Sequence, residues 1–274
     1  MISRMEESVG GFGWSEIAFE TFGVRIRVEA SHSGAIDRVR KFLPPGWQPC
    51  DRDAVETTFG LRLDPAGDSC VTREGIALVD SQPLEVALDV LERELRTAIA
   101  LRAPEVIFVH AGAVAHEGRA IVLPGASFAG KTTLVAALVR AGATYYSDEY
   151  AVLDRKGNVH PYARPLSVRS GKLAQEAHDV ESLGGTAGEA PVPLGAVVVT
   201  TYRPAAEWRP ERLSPGEATL SLLENTLPAQ TRPEESIQAI ARSVEGAVLI
   251  KSERGEADAV AALLLNLLGP GQAT

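Results

Sequence analysis

The residues Gly125, Ala126, Ser127, Phe128, Ala129, Gly130, Lys131, Thr132 and Thr133 are of the types that grip phosphate. They read GxxxxGKT, with an apolar run at 119–123 before them and a helical run at 134–140 after them that stops at Gly142. Strand before and helix after is the context in which this motif acts as a P-loop. Small residues let successive backbone N–H groups turn inward around phosphate oxygens, and the helix N-terminus adds a partial positive charge. Lys131 is placed for the β and γ phosphates of a nucleoside triphosphate and the Thr132 hydroxyl for magnesium. The implied ligands are ATP and Mg2+; nothing in the motif separates ATP from GTP.

A P-loop specifies a ligand and not a reaction, so the neighbouring acids matter. Asp148 and Glu149 are adjacent carboxylates in the sequence Tyr145, Tyr146, Ser147, Asp148, Glu149, Tyr150, on the run 145–153 that reads as the strand after the P-loop helix. Adjacent strand residues face opposite ways, so the two acids divide two jobs. One can hold magnesium and the other can accept the proton of an attacking hydroxyl. Asp148 is assigned as base and Glu149 to the metal with Thr132, the reverse assignment being open. His110 lies on the apolar run 106–115, which a turn at Glu117 and Gly118 joins to the strand that feeds the P-loop. Taken alone, a histidine on an apolar strand reads as a core residue.

His110, the small-residue hairpin, the GxSxxGKT loop and the acidic pair occur in the order and at the spacing of the catalytic domain of HPr kinase/phosphorylase, which residues 110–169 resemble. The loop is also similar to that of phosphoenolpyruvate carboxykinase, a fold relative. The resemblance implies a kinase core, with the histidine set against the first acid to help it take the proton of a serine-like hydroxyl, and the second acid on magnesium. Catalytic roles thereby fall to Asp148, His110 and Lys131. Glu149 stands where that family usually has Asp, and residues 164–171 do not match its downstream glycine-rich signature. The acceptor is accordingly a hydroxyl of a protein, a peptide or a small molecule. Assembly into a homo-oligomer is a further implication of the resemblance. Two other readings stand beside the kinase: a non-transferring ATP- or GTP-binding regulatory protein, and a carboxykinase-like enzyme whose carboxylate-binding set is not found in the sequence.

The elements that must position these residues form an α/β pattern, with a smaller α+β unit at 1–104 and the nucleotide-binding domain at 105–274. In the front unit, 17–30 alternates as strand, 35–42 reads as a short helix, and 55–63 and 76–79 read as further strands. Ser81 offers an N-cap to a helix whose stripe is Leu84, Leu88, Leu91, Leu95 and Ile99. Behind it, apolar strands at 106–115, 119–123, 145–153, 196–201 and 248–250 alternate with helical runs at 131–141, 215–223, 234–244 and 257–268, which predicts a layered sheet. Gly184, Gly185, Gly188, Pro191 and Pro193 predict a mobile loop able to cover a site.

Composition bounds the partners. The 274 residues carry a formal charge of −9, so no basic surface for nucleic acid is expected. Cys50 and Cys70 allow at most one bridge, and no run is long and apolar enough to span a bilayer; a cytoplasmic protein without membrane contact is expected. Arg164, Arg169 and Arg203 are candidates to clamp a phosphate or an acidic acceptor. His32, His116, His160 and His178 have no ligand spacing, so no transition-metal site is expected.

Overall fold

The computed structural model describes residues 14–64, 67–125, 130–170 and 174–269, of which 167–170 and 174–177 are described by backbone alone. It divides into two compact units, Met1–Ile99 and Ala100–Thr274. Each contains a mixed sheet with helices, an α/β class of structure.

In the first unit, β1 (Ser15–Thr21) and β2 (Val24–Ala30) form an antiparallel hairpin. The alternation at 17–30 is therefore two strands and not one. Phe22 and Gly23 break it, both at positive φ (48° and 76°), the backbone of a tight two-residue turn. Helix α1 (Ser33–Arg40) follows, its first turn capped by His32 Nδ1, which accepts from the Gly34 amide at 3.0 Å. Then come β3 (Gln48–Pro49), β4 (Thr57–Leu63), β5 (Asp68–Arg73) and β6 (Ile76–Pro83), giving the order β3-β1-β2-β4-β5-β6 with β2 and β4 parallel. Phe19, Ile26, Val28, Phe59 and Leu61 are fully buried, while Arg25, Arg62 and Ile76 stay wet.

Helix α2 (Leu84–Arg102) buries Leu88, Leu91, Leu95 and Ile99 as the stripe predicts. Ser81 does not cap it. Gln82 and Pro83 remain paired with Ser69 and Asp68, so the sheet ladder holds this segment and the helix starts only at Leu84.

The second unit opens with β7 (Val106–His116), joined by the Glu117–Gly118 turn (φ 49° and 70°) to β8 (Arg119–Pro124). Next are α3 (Lys131–Arg140), β9 (Thr144–Ser147), β10 (Tyr150–Asp154), β11 (Asn158–His160) and a hairpin of β12 (Leu166–Ser170) and β13 (Ala174–His178). The chain continues through β14 (Val192–Tyr202), β15 (Glu211–Arg212), α4 (Pro215–Leu223), α5 (Pro233–Ser243), β16 (Val248–Arg254) and α6 (Ala257–Leu265). The sheet order is β11-β10-β7-β8-β14-β16-β15, with β9 also on β7. Strands β8, β14 and β16 run parallel.

Alternation along these strands divides the core into two layers. Ile121, Leu123 and Val198 face α3 and α6, through Leu134, Val135, Leu138 and Leu264. Val109, Val122 and Val197 face α4 and α5, through Leu222 and Ile240. Gly112 on β7 allows the closest approach of α3, since a Cβ there would stand 2.6 Å from Val135 Cγ2. Among the described residues no helix is long and apolar enough to cross a membrane.

Residues 184–193 are not an unattached loop. Tyr145 N donates to Thr186 O and Gly188 N to Tyr145 O, both at 2.8 Å, which lays the segment along β9. Its glycines fit close packing: a Cβ on Gly185 would meet Val139 Cγ1 at 2.2 Å, and one on Gly188 would meet the Tyr146 ring at 2.3 Å.

Candidate active site

Strand β8 delivers Gly125, and α3 begins at Lys131 directly after Gly130; Ala126, Ser127, Phe128 and Ala129 lie outside the described residues. Gly130 has φ 79° and ψ 21°, the left-handed region that favours glycine, and it gives α3 no side-chain cap. The first amides of α3 have no acceptor within the helix. Thr133, the last residue of the motif, is exposed.

Lys131 turns back toward the end of β8. Its Nζ donates to Gly125 O at 2.6 Å and lies 3.2 Å from His110 Nε2. His110 holds its place because β7 is locked on both sides: its own amide donates to Asn225 O at 2.7 Å, and the Ala111 amide donates to Glu149 O at 3.1 Å. Burial, and then the charge of Lys131, push the His110 imidazole down to about 4, while a hydrogen bond to the Glu149 backbone acts the other way. At neutral pH the ring is uncharged and Nε2 accepts from the lysine. Burial likewise lowers Lys131, with Asp148 and Glu149 pulling it back up.

Asp148 and Glu149 sit between two short strands and not within one. Both β9 and β10 pair antiparallel with β7, in registers Ala113↔Ser147 and Tyr150↔His110. The Ser147 hydroxyl interrupts the ladder by accepting from the Glu149 amide at 3.1 Å and the Tyr150 amide at 2.9 Å. This local side-chain bond competes with strand pairing and bends the chain at the acids.

The bend brings Asp148 to the start of α3, where Thr132 Oγ1 donates to its Oδ2 at 3.0 Å. Tyr145 OH stands 3.0 Å from Asp148 Oδ1 and 2.8 Å from Arg164 O, sharing one proton between them. Burial first, and then Asp148, raise the Tyr145 hydroxyl far above its ordinary value. Glu149 has its Oε2 3.4 Å from Arg164 Nη1. Burial lowers Arg164, whose side chain is only 17% exposed.

The cluster thus unites Lys131 and Thr132 with His110, Asp148, Glu149 and Arg164, drawn from β7, the β9–β10 bend, the β11–β12 connection and α3. The resemblance sets the histidine against the first acid; here its side-chain partner is Lys131. Arg203 stays on the surface with Glu253 at 3.1 Å, and the Arg169 side chain lies outside the described residues. Tyr145 and Arg254 are additions that sequence reasoning missed. Tyr145 carried a signal, a tyrosine three residues before the acid in the run 145–153 that reads as one strand. Arg254, whose Nη2 donates to Gly130 O at 2.8 Å, carried none beyond its place at a strand end.

A hydroxyl and a carboxylate 3.0 Å apart are oxygen donors of the kind magnesium takes, one or two from protein with phosphate and water to complete its shell. No group of three or more His, Cys, Asp or Glu side chains that could hold a metal by themselves occurs among the described residues. Compared with protein-family models and with curated proteins, the chain finds no match.

Proposed function

We propose that the second unit is a P-loop kinase core of the HPr kinase and phosphoenolpyruvate carboxykinase type, and that the protein transfers the γ-phosphoryl group of ATP to a serine-like hydroxyl. The observation that carries this reading is the contact of Thr132 with Asp148 beside the Lys131 and His110 pair. A nucleotide switch also carries a carboxylate at its magnesium threonine, but it has no need of a second carboxylate next to it or of a neutral imidazole at its lysine.

The bound nucleotide supplies the phosphoryl group, and magnesium neutralises its charge. The protein's part is positioning and electrostatics. The first amides of α3 and the Lys131 ammonium hold phosphate oxygens, and His110, kept neutral, accepts from Lys131 without adding a repelling charge. Tyr145 and Thr132 fix the plane of the Asp148 carboxylate, one on each oxygen.

Because Asp148 shares a hydrogen bond with the magnesium threonine, the geometry favours the second of the two assignments left open by sequence: Asp148 with Thr132 on the metal, and Glu149 taking the acceptor proton. A regulatory protein needs a segment that nucleotide orders, and the segment read from the sequence as a mobile loop is 184–193. Its hydrogen bonds to Tyr145 take away the observation that favoured that alternative.

The test is transfer of label from γ-labelled ATP to serine-containing acceptors with magnesium. Asp148→Asn and Glu149→Gln should each lower transfer by about 10²–10⁴-fold. The metal-side residue also raises the magnesium concentration for half-maximal rate, and the proton acceptor does not. Slow ATP hydrolysis with no labelled acceptor, unchanged in both variants, refutes the kinase reading.

A further inference from the structure

Strands β14 and β16 lie on the opposite side of β8 from β7, and at their ends Tyr202 and Arg254 are register partners. Arg254 is buried to 1% exposure. Its Nη2 donates to Gly130 O at 2.8 Å and its Nη1 to Gly255 O at 3.0 Å, while Nε has no hydrogen-bond partner among the described residues. The Tyr202 ring covers the guanidinium at 5.5 Å, and its hydroxyl donates to Glu256 at 2.9 Å. Arg254 is therefore a buried cation held by carbonyls and a ring in place of a carboxylate, with Glu256 acting on it through space. Such a cation is costly unless an anion compensates it.

We propose that Arg254 is a positioning residue of the phosphate site, one that fixes the Gly130–Lys131 peptide with its N–H toward the bound triphosphate and has its own charge compensated by that anion. The inference rests on the nucleotide-binding reading above.

A trans peptide is planar, so the Gly130 carbonyl and the Lys131 N–H point in opposite directions. That carbonyl already accepts the first helical bond, from Leu134 N at 3.1 Å, and Arg254 occupies it a second time. Two donors on one oxygen hold the peptide plane and polarise the amide, making its N–H a stronger donor. Gly130 in the left-handed region followed by helical residues turns successive N–H groups into one concavity, an anion-binding arrangement. Glycine is required at this position twice over, by its φ and because a Cβ would stand 2.7 Å from Arg254 Nη2.

The experiment measures calorimetric affinity for Mg-ATP and the melting temperature of the ligand-free protein in wild type, Arg254→Met, Arg254→Gln and Arg254→Lys. Arg254→Met should bind about tenfold or more weakly, the loss expected for a charged hydrogen bond. Its ligand-free melting temperature should be unchanged or higher, because an apolar chain replaces a buried cation with no carboxylate in direct contact. Arg254→Lys should recover part of the affinity. If Arg254→Met does not fold, Arg254→Gln decides, since it keeps a donor for the carbonyl and lacks the charge; it must lose affinity similarly. Wild-type affinity in the folded variants, or a lowered melting temperature with affinity intact, makes Arg254 merely structural and overturns the proposal. A wild-type protein that binds no nucleotide removes the nucleotide-binding reading itself, and the role of Arg254 with it.

Discussion

The two units use charge in different ways. In the first, ion pairs such as Arg25 with Glu20 and Arg38 with Glu85 are surface features, each partner at least 39% exposed on its side chain. Their partners are held by long, solvated side chains that salt screens, which makes such pairs weak contributors to stability. In the second unit Lys131, His110 and Arg164 are half-buried and Arg254 is buried, each with a partner brought in by another part of the chain. Desolvation is tolerated there because each cation or ring meets a carbonyl, a carboxylate or an aromatic face. Strained protonation of this sort marks functional sites more often than surface pairing does. The difference is one of placement: the first unit's pairs stay in water, whereas the second adds a half-buried cluster at Lys131 to exposed pairs of its own such as Arg203 with Glu253.

The sharpest way to break this contrast is at Lys131. Lys131→Ala should reduce Mg-ATP affinity by about a hundredfold or more, since it removes a charge from a half-buried anion site; calorimetry that finds wild-type affinity would put the nucleotide elsewhere. Next is Tyr145→Phe, which strips a proton donor from Asp148 while leaving the ring in the core. It should lower transfer about tenfold and stability by about 1 kcal/mol, from kinetics and urea unfolding respectively. An unchanged rate would mean that Thr132 alone orients the acid.

A third and smaller effect is on pH. Folding keeps His110 neutral to about 4, whereas its ordinary value is 6.5. Between those values the unfolded chain binds more protons, so the His110 contribution is fully present above pH 6.5 and is lost as the medium is acidified toward 4. Stability of the wild type relative to His110→Gln should fall across that window and stay level above it. A difference profile that is flat throughout would mean that the imidazole is solvated. The smallest effect belongs to the first unit: Arg38→Ala should leave the melting temperature and Mg-ATP affinity where they were, in high and low salt alike. A clear loss of either would end the contrast between the units.

Much of the site's inventory was legible because it is local. Gly130, Lys131 and Thr132 are read from a short motif whose backbone geometry needs those types, and the stripe from Leu88 to Ile99 follows from helical spacing. The acids at 148 and 149 were legible as a pair, but their bend was not, because the Ser147 hydroxyl that makes it competes with a strand pattern that otherwise continues. The turn at Phe22 and Gly23 was hidden in the same way, an alternation running through a hairpin.

What the sequence by itself determined is therefore the set of candidate site residues and the strand and helix on either side of the motif, since both depend on residues within a few positions of one another. Tertiary structure alone decided that His110 meets Lys131, that Asp148 and not Glu149 meets Thr132, and that Arg254 reaches Gly130 from 124 positions away. Those contacts depend on the order in which β7, β8, β14 and β16 lie side by side. Strand order is chosen by burial of the whole sheet, a sum over the molecule that no short stretch of residues contains.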